Sequence, residues 1–302
     1  MRKIILLSFI LLVIGTAEPV KAHDGWTQTN ATIVEPEENI YIELLFGNHS
    51  NDHGSYRIEG NWNEDNTKVN VHTPAGEAVD VTSTLFYTGE LDESDEGDSG
   101  VNNYHIASFS AIDTGIYIIS GESDSIFSQG ETSSRTLRSA KSFAAVSDVP
   151  TFHEAKGMDG FGEEVTQDRA EFLPQFNPVA LMPEETVEVQ LAREGSPVQE
   201  EEVTLVRRST SESEVFLTDE EGMISFTSGP ADYYLLRASE ETEGEGEEYN
   251  VLNYEATMTF AVQNGEDMNG MKKKRSQKIV TQTLLANRRT LTSKINLITG
   301  VY

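Results

Sequence analysis

The stretch NIYIELLF, residues 39–46, decides the fold class, because β-branched and aromatic residues crowd into eight positions that close on Gly47-Asn48. That composition suits a pleated, half-buried strand. Similar short segments recur outward from it at 68–73, 79–87, 103–110, 115–121 and 136–146, with turn residues between them and no helical run of convincing length. Their spacing predicts an antiparallel β-sandwich rather than alternating βα units. A second series at 186–193, 202–208, 214–218, 223–227, 233–239 and 249–262 predicts a smaller sandwich. The expected fold is therefore all-β, with two antiparallel β-sandwich domains at 23–150 and 176–263 joined by a connection at 151–175. A length of 302 residues suits two domains.

Turn chemistry supports the second series. Gly195-Ser196-Pro197 reads as a hairpin turn, and in Thr218-Asp219-Glu220-Glu221-Gly222 the Asp219 carboxylate can bond its own backbone while Gly222 takes positive φ. Segments 90–100, 121–134 and 240–248 carry few apolar residues and are expected to be exposed loops.

The net charge of −29 argues against nucleic acid or anionic lipid as a partner of the body, since both need a positive field. Cations fit that field, although dense surface carboxylate also suits a hydrated surface at high salt with no specific ligand. From residue 272 the balance inverts, with eight Lys or Arg and no Asp or Glu to the end. This basic tail, 264–302, is expected to be poorly ordered. Between 23 and 271 stand 11 basic and 50 acidic residues. The absence of cysteine excludes disulfides, thiolate metal sites and a cysteine nucleophile.

Residues 1–22 place Arg2 and Lys3 before an apolar run from Ile4 to Ile14 and end in Val20-Lys21-Ala22, the pattern of a cleaved signal peptide. Export to the periplasm or beyond is expected. The run is well short of the ~20 residues that span a bilayer, so no membrane span is expected. Cleavage after Ala22 exposes His23 as an amino-terminal residue whose α-amine and imidazole chelate one ion together; cleavage after Ala17 does not.

All six histidines lie within residues 23–153, and the expected second domain has none. His49 and His53 share the polar loop GNHSNDHG after the 39–46 strand, and Asp24 and Asp52 add oxygen donors. His23, His49 and His53 with a carboxylate form a candidate site for nickel, cobalt, copper or zinc, with His105 next in rank. Exposed loop histidines and a structural His105 are the plainer alternatives. The acidic loop 92–98 fails as a calcium loop, since alignment on Asp92 puts Asn103 where a bidentate Glu is required. No GxSxG, phosphate-binding loop, GxGxxG or HExxH occurs, so no enzyme is expected. A histidine-brace copper oxidase, which also begins its mature chain with His on a β-sandwich, is the enzymatic alternative.

Several pieces occur in a recognisable order: Ala22-His23-Asp24-Gly25-Trp26, Phe46-Gly47-Asn48-His49, Gly115-Ile116-Tyr117, Arg138-Ser139-Ala140-Lys141-Ser142-Phe143, Phe176-Asn177-Pro178 with Leu181, Gly195-Ser196-Pro197-Val198 and Tyr233-Tyr234-Leu235-Leu236. Over about 23–262 the chain resembles a family of exported bacterial proteins, domain of unknown function 4198, often described as nickel/cobalt transport-associated periplasmic components (NikM-like). The resemblance implies a periplasmic two-domain β protein with an immunoglobulin-like or carboxypeptidase-regulatory-like second domain. It further implies a role in handling transition-metal ions beside a membrane transport complex. The chain departs from the family in placing Asn48 between Gly47 and His49, and in its basic tail. A non-catalytic envelope interaction module is the competing reading.

Overall fold

The computed structural model describes residues 24–47, 62, 65–88, 104–130, 132–244, 246 and 248–264. Within them the first half contributes β1 (Asp24–Thr29), β2 (Ile33–Val34), β3 (Asn39–Gly47), β4 (Thr67–His72), β5 (Ala78–Asp80), β6 (Phe86–Thr88), β7 (Tyr104–Ser110), β8 (Gly115–Gln129) and β9 (Thr132–Val146). The short helix α1 (Phe152–Lys156) follows. The second half contributes β10 (Ala170–Pro174), β11 (Thr186–Arg193), β12 (Ser196–Pro197), β13 (Glu202–Arg207), β14 (Ser213–Leu217), β15 (Met223–Thr227), β16 (Asp232–Glu243) and β17 (Val251–Val262). The protein is all-β, as expected, with sheets packed face to face.

A nine-stranded sheet, ordered β14-β13-β16-β17-β9-β8-β4-β5 with β2 also paired to β9, forms the middle layer. The sheet β1-β3-β7-β6 covers one face. There Ile40, Ile42 and Leu44 pack with Val69, Val71, Tyr117, Ile119, Ala140 and Ala144. Strands β10, β11, β12 and β15 cover the other, where Phe172, Val189, Leu191 and Phe226 meet Phe143, Leu205, Leu236, Met258 and Phe260. Successive residues of a strand point to opposite faces. Phe143 and Ala144 of β9 accordingly serve different cores.

Strands from the two expected sandwiches thus share one sheet, joined where β9 and β17 run parallel from Ser134↔Val251 to Lys141↔Met258. Both strands are buried along most of their length and on both faces, the pattern of a central strand. The 151–175 segment is not featureless. Thr151 Oγ1 caps α1 by accepting from Glu154 N–H at 3.3 Å, and all five residues of β10 are buried. The 121–134 stretch, expected as a loop, is the far half of the β8–β9 hairpin, paired out to Gln129↔Thr132. Its Ser, Thr and Gln side chains lack apolar signal, yet the backbone ladder alone carries the strands past the core.

The Asp219–Gly222 turn stands as expected, while the expected Gly195-Ser196-Pro197 turn is shifted by one residue, with Ser196-Pro197 forming β12. Glu194 and Gly195 have φ of 51° and 73° between Arg193↔Ser196, a two-residue hairpin turn of the left-handed kind. Asp219 Oδ1 accepts from Glu221 and Met223 N–H at 3.0 and 2.8 Å, and Gly222 has φ of 70°.

Candidate functional site

Two of the candidate metal residues, Asp24 and His105, stand at one end of the sheet β1-β3-β7-β6. Register pairs Asp24 with Gly47, Leu44 with His105 and Thr88 with Tyr104. The start of β1, the end of β3, the end of β6 and the start of β7 therefore gather at one edge. Asp24 and His105 are in place there. His23, His49, Asp52 and His53 lie outside the described residues; in the chain, His23 immediately precedes Asp24 and His49 follows Gly47 by two positions.

An ionic layer lies beneath that edge. Asp24 Oδ2 accepts from Arg237 Nη1 at 2.7 Å. Burial raises the Asp24 carboxyl above its ordinary range, and Arg237 works against that rise. Arg138 donates to Glu255 at 2.5 Å and to Ser123 Oγ at 3.1 Å, with its guanidinium 5.7 Å from the Trp62 ring centre. The buried Trp62 indole N–H donates to Leu45 O at 2.9 Å, so the chain that leaves at Gly47 is anchored again beside the same strand by residue 62. Gly25 is required by this packing, because a Cβ there would stand 2.7 Å from Arg138 Cδ and 3.0 Å from Trp62 Cζ2. Thr257 and Thr259 hydroxyls donate to Gly25 O and Thr27 O at 2.9 and 2.8 Å, fixing β1 on β17.

His105 is buried on the core side of β7, opposite Leu44, with its ring edge-on to Tyr87 at 5.5 Å. Among the described residues no three His, Asp or Glu side chains converge as a metal group. Asp24 Oδ2 is engaged by Arg237.

A second polar region carries residues that strand patterning does not reveal. Lys141 pairs with Glu171, whose carboxylate also accepts from Val165 N–H at 3.1 Å and from Thr166 N–H and Oγ1 at 2.9 Å each. Lys141 Nζ donates to Glu163 O at 3.1 Å. His72, 3.4 Å from Ser120 Oγ, borders two open grooves of about 410 and 510 Å³ lined by Asp159, Glu163, Glu164 and Glu194. Burial and the nearby Lys141 charge hold the His72 pKa below 6.5. The legible signal for this region is a charged residue inside an apolar strand, as in RSAKSFAAV (138–146).

No curated protein matches the chain. Among solved structures, a DUF4785 family protein of Legionella pneumophila is similar at 10% identity over 70% of this chain and 50% of that one, with a TM-score of 0.25. A Salmonella alpha-2-macroglobulin is similar at 11% identity over 78% and 15%, TM-score 0.22. The Yersinia pseudotuberculosis adhesin InvE is similar at 13% identity over 78% and 58%, TM-score 0.17. The chain thus spans half or less of the first two. No helix among the described residues is long and apolar enough to cross a membrane. A family model, "Domain of unknown function (DUF4198)", matches residues 20–242, and the chain belongs to that family.

Proposed function

We propose that this is an exported, non-enzymatic protein that captures a divalent transition-metal ion, nickel or cobalt foremost and copper or zinc otherwise, for a membrane transport complex. The carrying observation is the Asp24↔Gly47 register, because it brings Asp24, which follows His23, beside Gly47, two positions before His49, at one end of the sheet. In this reading His23 supplies its amine and imidazole, and His49 and His53 supply further nitrogens, with Asp52 as oxygen donor. Asp24, held by Arg237, and His105, packed behind the edge, set the platform. Trp62, bonded to Leu45 O, fixes the chain at residue 62 beside β3.

Calorimetric titration of the mature protein with each of the four metals tests this, alongside intact mass to fix the amino end. Micromolar or tighter binding is expected, weakened at least ~10-fold in His23→Ala and in His49→Ala/His53→Ala. No binding by the wild type, or none lost in the variants, overturns it.

A second reading, an envelope interaction module, draws support from the β8–β9 hairpin tip, where Ile126 and Phe127 are 46% and 67% exposed. Loss of surface retention in Ile126→Ser/Phe127→Ser, with metal binding intact, would favour it.

A further inference from the structure

Strand β14 closes one side of the nine-stranded sheet, and among the described residues it pairs only with β13. Arg207 N–H donates to Glu212 O at 2.9 Å and Thr218 N–H to Glu201 O at 3.0 Å. By antiparallel alternation, the backbone N–H and C=O groups of Ser213, Val215 and Leu217 then point away from β13. Side chains alternate too. Phe216 turns to the core, 5.6 Å from the Phe226 ring, while Val215 and Leu217 share the other face at 58% and 61% exposure.

An open edge with exposed apolar side chains is a template for another strand, and proteins normally blunt it with Lys, Pro, a bulge or a cover. The opposite edge follows that rule: β5 is three residues long and ends in Asp80. On β14 there is no Lys, Pro or Arg, and apart from Arg207, which reaches Glu212 at 3.5 Å, its surroundings are negative, through Glu201, Glu202, Glu214, Asp219 and Glu220. Two copies pairing through this edge would bring those carboxylates together. A basic strand fits it.

The chain carries one. Residues 272–302 hold eight Lys or Arg and no acid, and KIVTQTLL (278–285) and SKINLITGVY (293–302) are rich in residues that favour strands. The connection is short enough. Val262 stands opposite Asp232, Tyr234 opposite Arg207, and Val206 opposite Ser213, so β17 ends at the same end of the sheet at which β14 starts. Three strand spacings separate them, ~15 Å, and residues 265–271 reach ~24 Å when extended.

We propose that the basic segment 272–302 docks as an added strand on β14 of its own chain, covering Val215 and Leu217. Hydrogen exchange of the full-length chain, read by fragment mass spectrometry, tests this in wild type, in Val215→Lys/Leu217→Lys and in Lys272→Glu/Lys273→Glu/Lys274→Glu/Arg275→Glu. The wild-type fragment 213–217 is expected to exchange at least ~10-fold more slowly than in either variant, with fragments from 278–302 slowed in parallel and no dependence on protein concentration. Equal exchange in all three proteins overturns the proposal. So does protection that fades on dilution, which assigns the edge to a second molecule.

Discussion

Lys141 of β9 and Glu171 of β10 form an ion pair shut away from solvent on both sides, with side chains 3% and 1% exposed. Through its further bonds to Val165 and Thr166, Glu171 also holds the 163–166 segment against the sheet. Burial lowers the Lys141 pKa, and Glu171 foremost, then Glu164 and Glu163, work against that fall.

Removing one partner leaves the other charge buried and uncompensated. Lys141→Met is therefore expected to cost ~3–5 kcal/mol of stability, and Lys141→Met/Glu171→Leu less than the sum of the two single changes. The double variant still pays for the stranded N–H groups of Val165 and Thr166. Urea denaturation measures all three, and an unchanged midpoint for Lys141→Met refutes the charge-locking role.

His72 gives the fold a pH dependence. Burial foremost, then the Lys141 and Lys68 charges, lower its native pKa against the pull of Glu171 and Glu163, while the unfolded chain takes up that proton at the ordinary 6.5. Unfolded protein thus binds more protons below 6.5, and the His72 contribution, complete above 6.5, is lost as pH falls toward the lowered native value. Thermal melts between pH 7 and 5 should decline less steeply in His72→Gln than in wild type. Parallel slopes would contradict this.

Trp62 and Gly25 test the packing under the candidate metal edge. Trp62→Phe deletes the indole bond to Leu45 and weakens the Arg138 contact, an expected loss of about 1–3 kcal/mol. Gly25→Ala drives a methyl into Arg138 and Trp62 and is expected to cost about 1–3 kcal/mol. Chemical denaturation gives both values. If the metal proposal holds, calorimetric affinity falls in these variants as well, since the platform shifts.

Two glycines with similar φ separate backbone strain from crowding. At Gly130, φ 65°, an added Cβ meets nothing within 4 Å, so Gly130→Ala should lose only about 1 kcal/mol of backbone preference. At Gly222, φ 70°, the Cβ would lie 2.6 Å from Leu191 O, and Gly222→Ala should lose clearly more. Equal midpoints in urea would show that the 219–222 turn shifts freely.

Much of this fold is written locally. Ile40, Ile42 and Leu44 are fully buried, as a half-buried strand at 39–46 requires, and the turns at Gly195 and Gly222 follow from residues that tolerate positive φ. What stays hidden is pairing across sequence distance. Nothing in 251–262 names 132–146 as its parallel neighbour, and the small residues Ser139, Ala140, Ser142, Ala144 and Ala145 give a weak hydrophobic signal for a strand buried on both faces. Segment 170–174 reads as linker because Glu171 interrupts it, yet that carboxylate is buried for Lys141. Of the candidate site, Asp24 stands where β1 begins, and its Arg237 partner, 213 positions away, could not be inferred from spacing. His105 has the alternation of a core position, and it is buried as one.

The parallel seam between β9 and β17 also orders events in time. Arg138 waits for Glu255, 117 residues later, and from Ser134 to Lys141 one flank of β9 has no neighbour until the chain has been made as far as its last described strand. Contacts that distant close slowly. The first half of this molecule is therefore a latecomer to its own native state, completed from the carboxyl side.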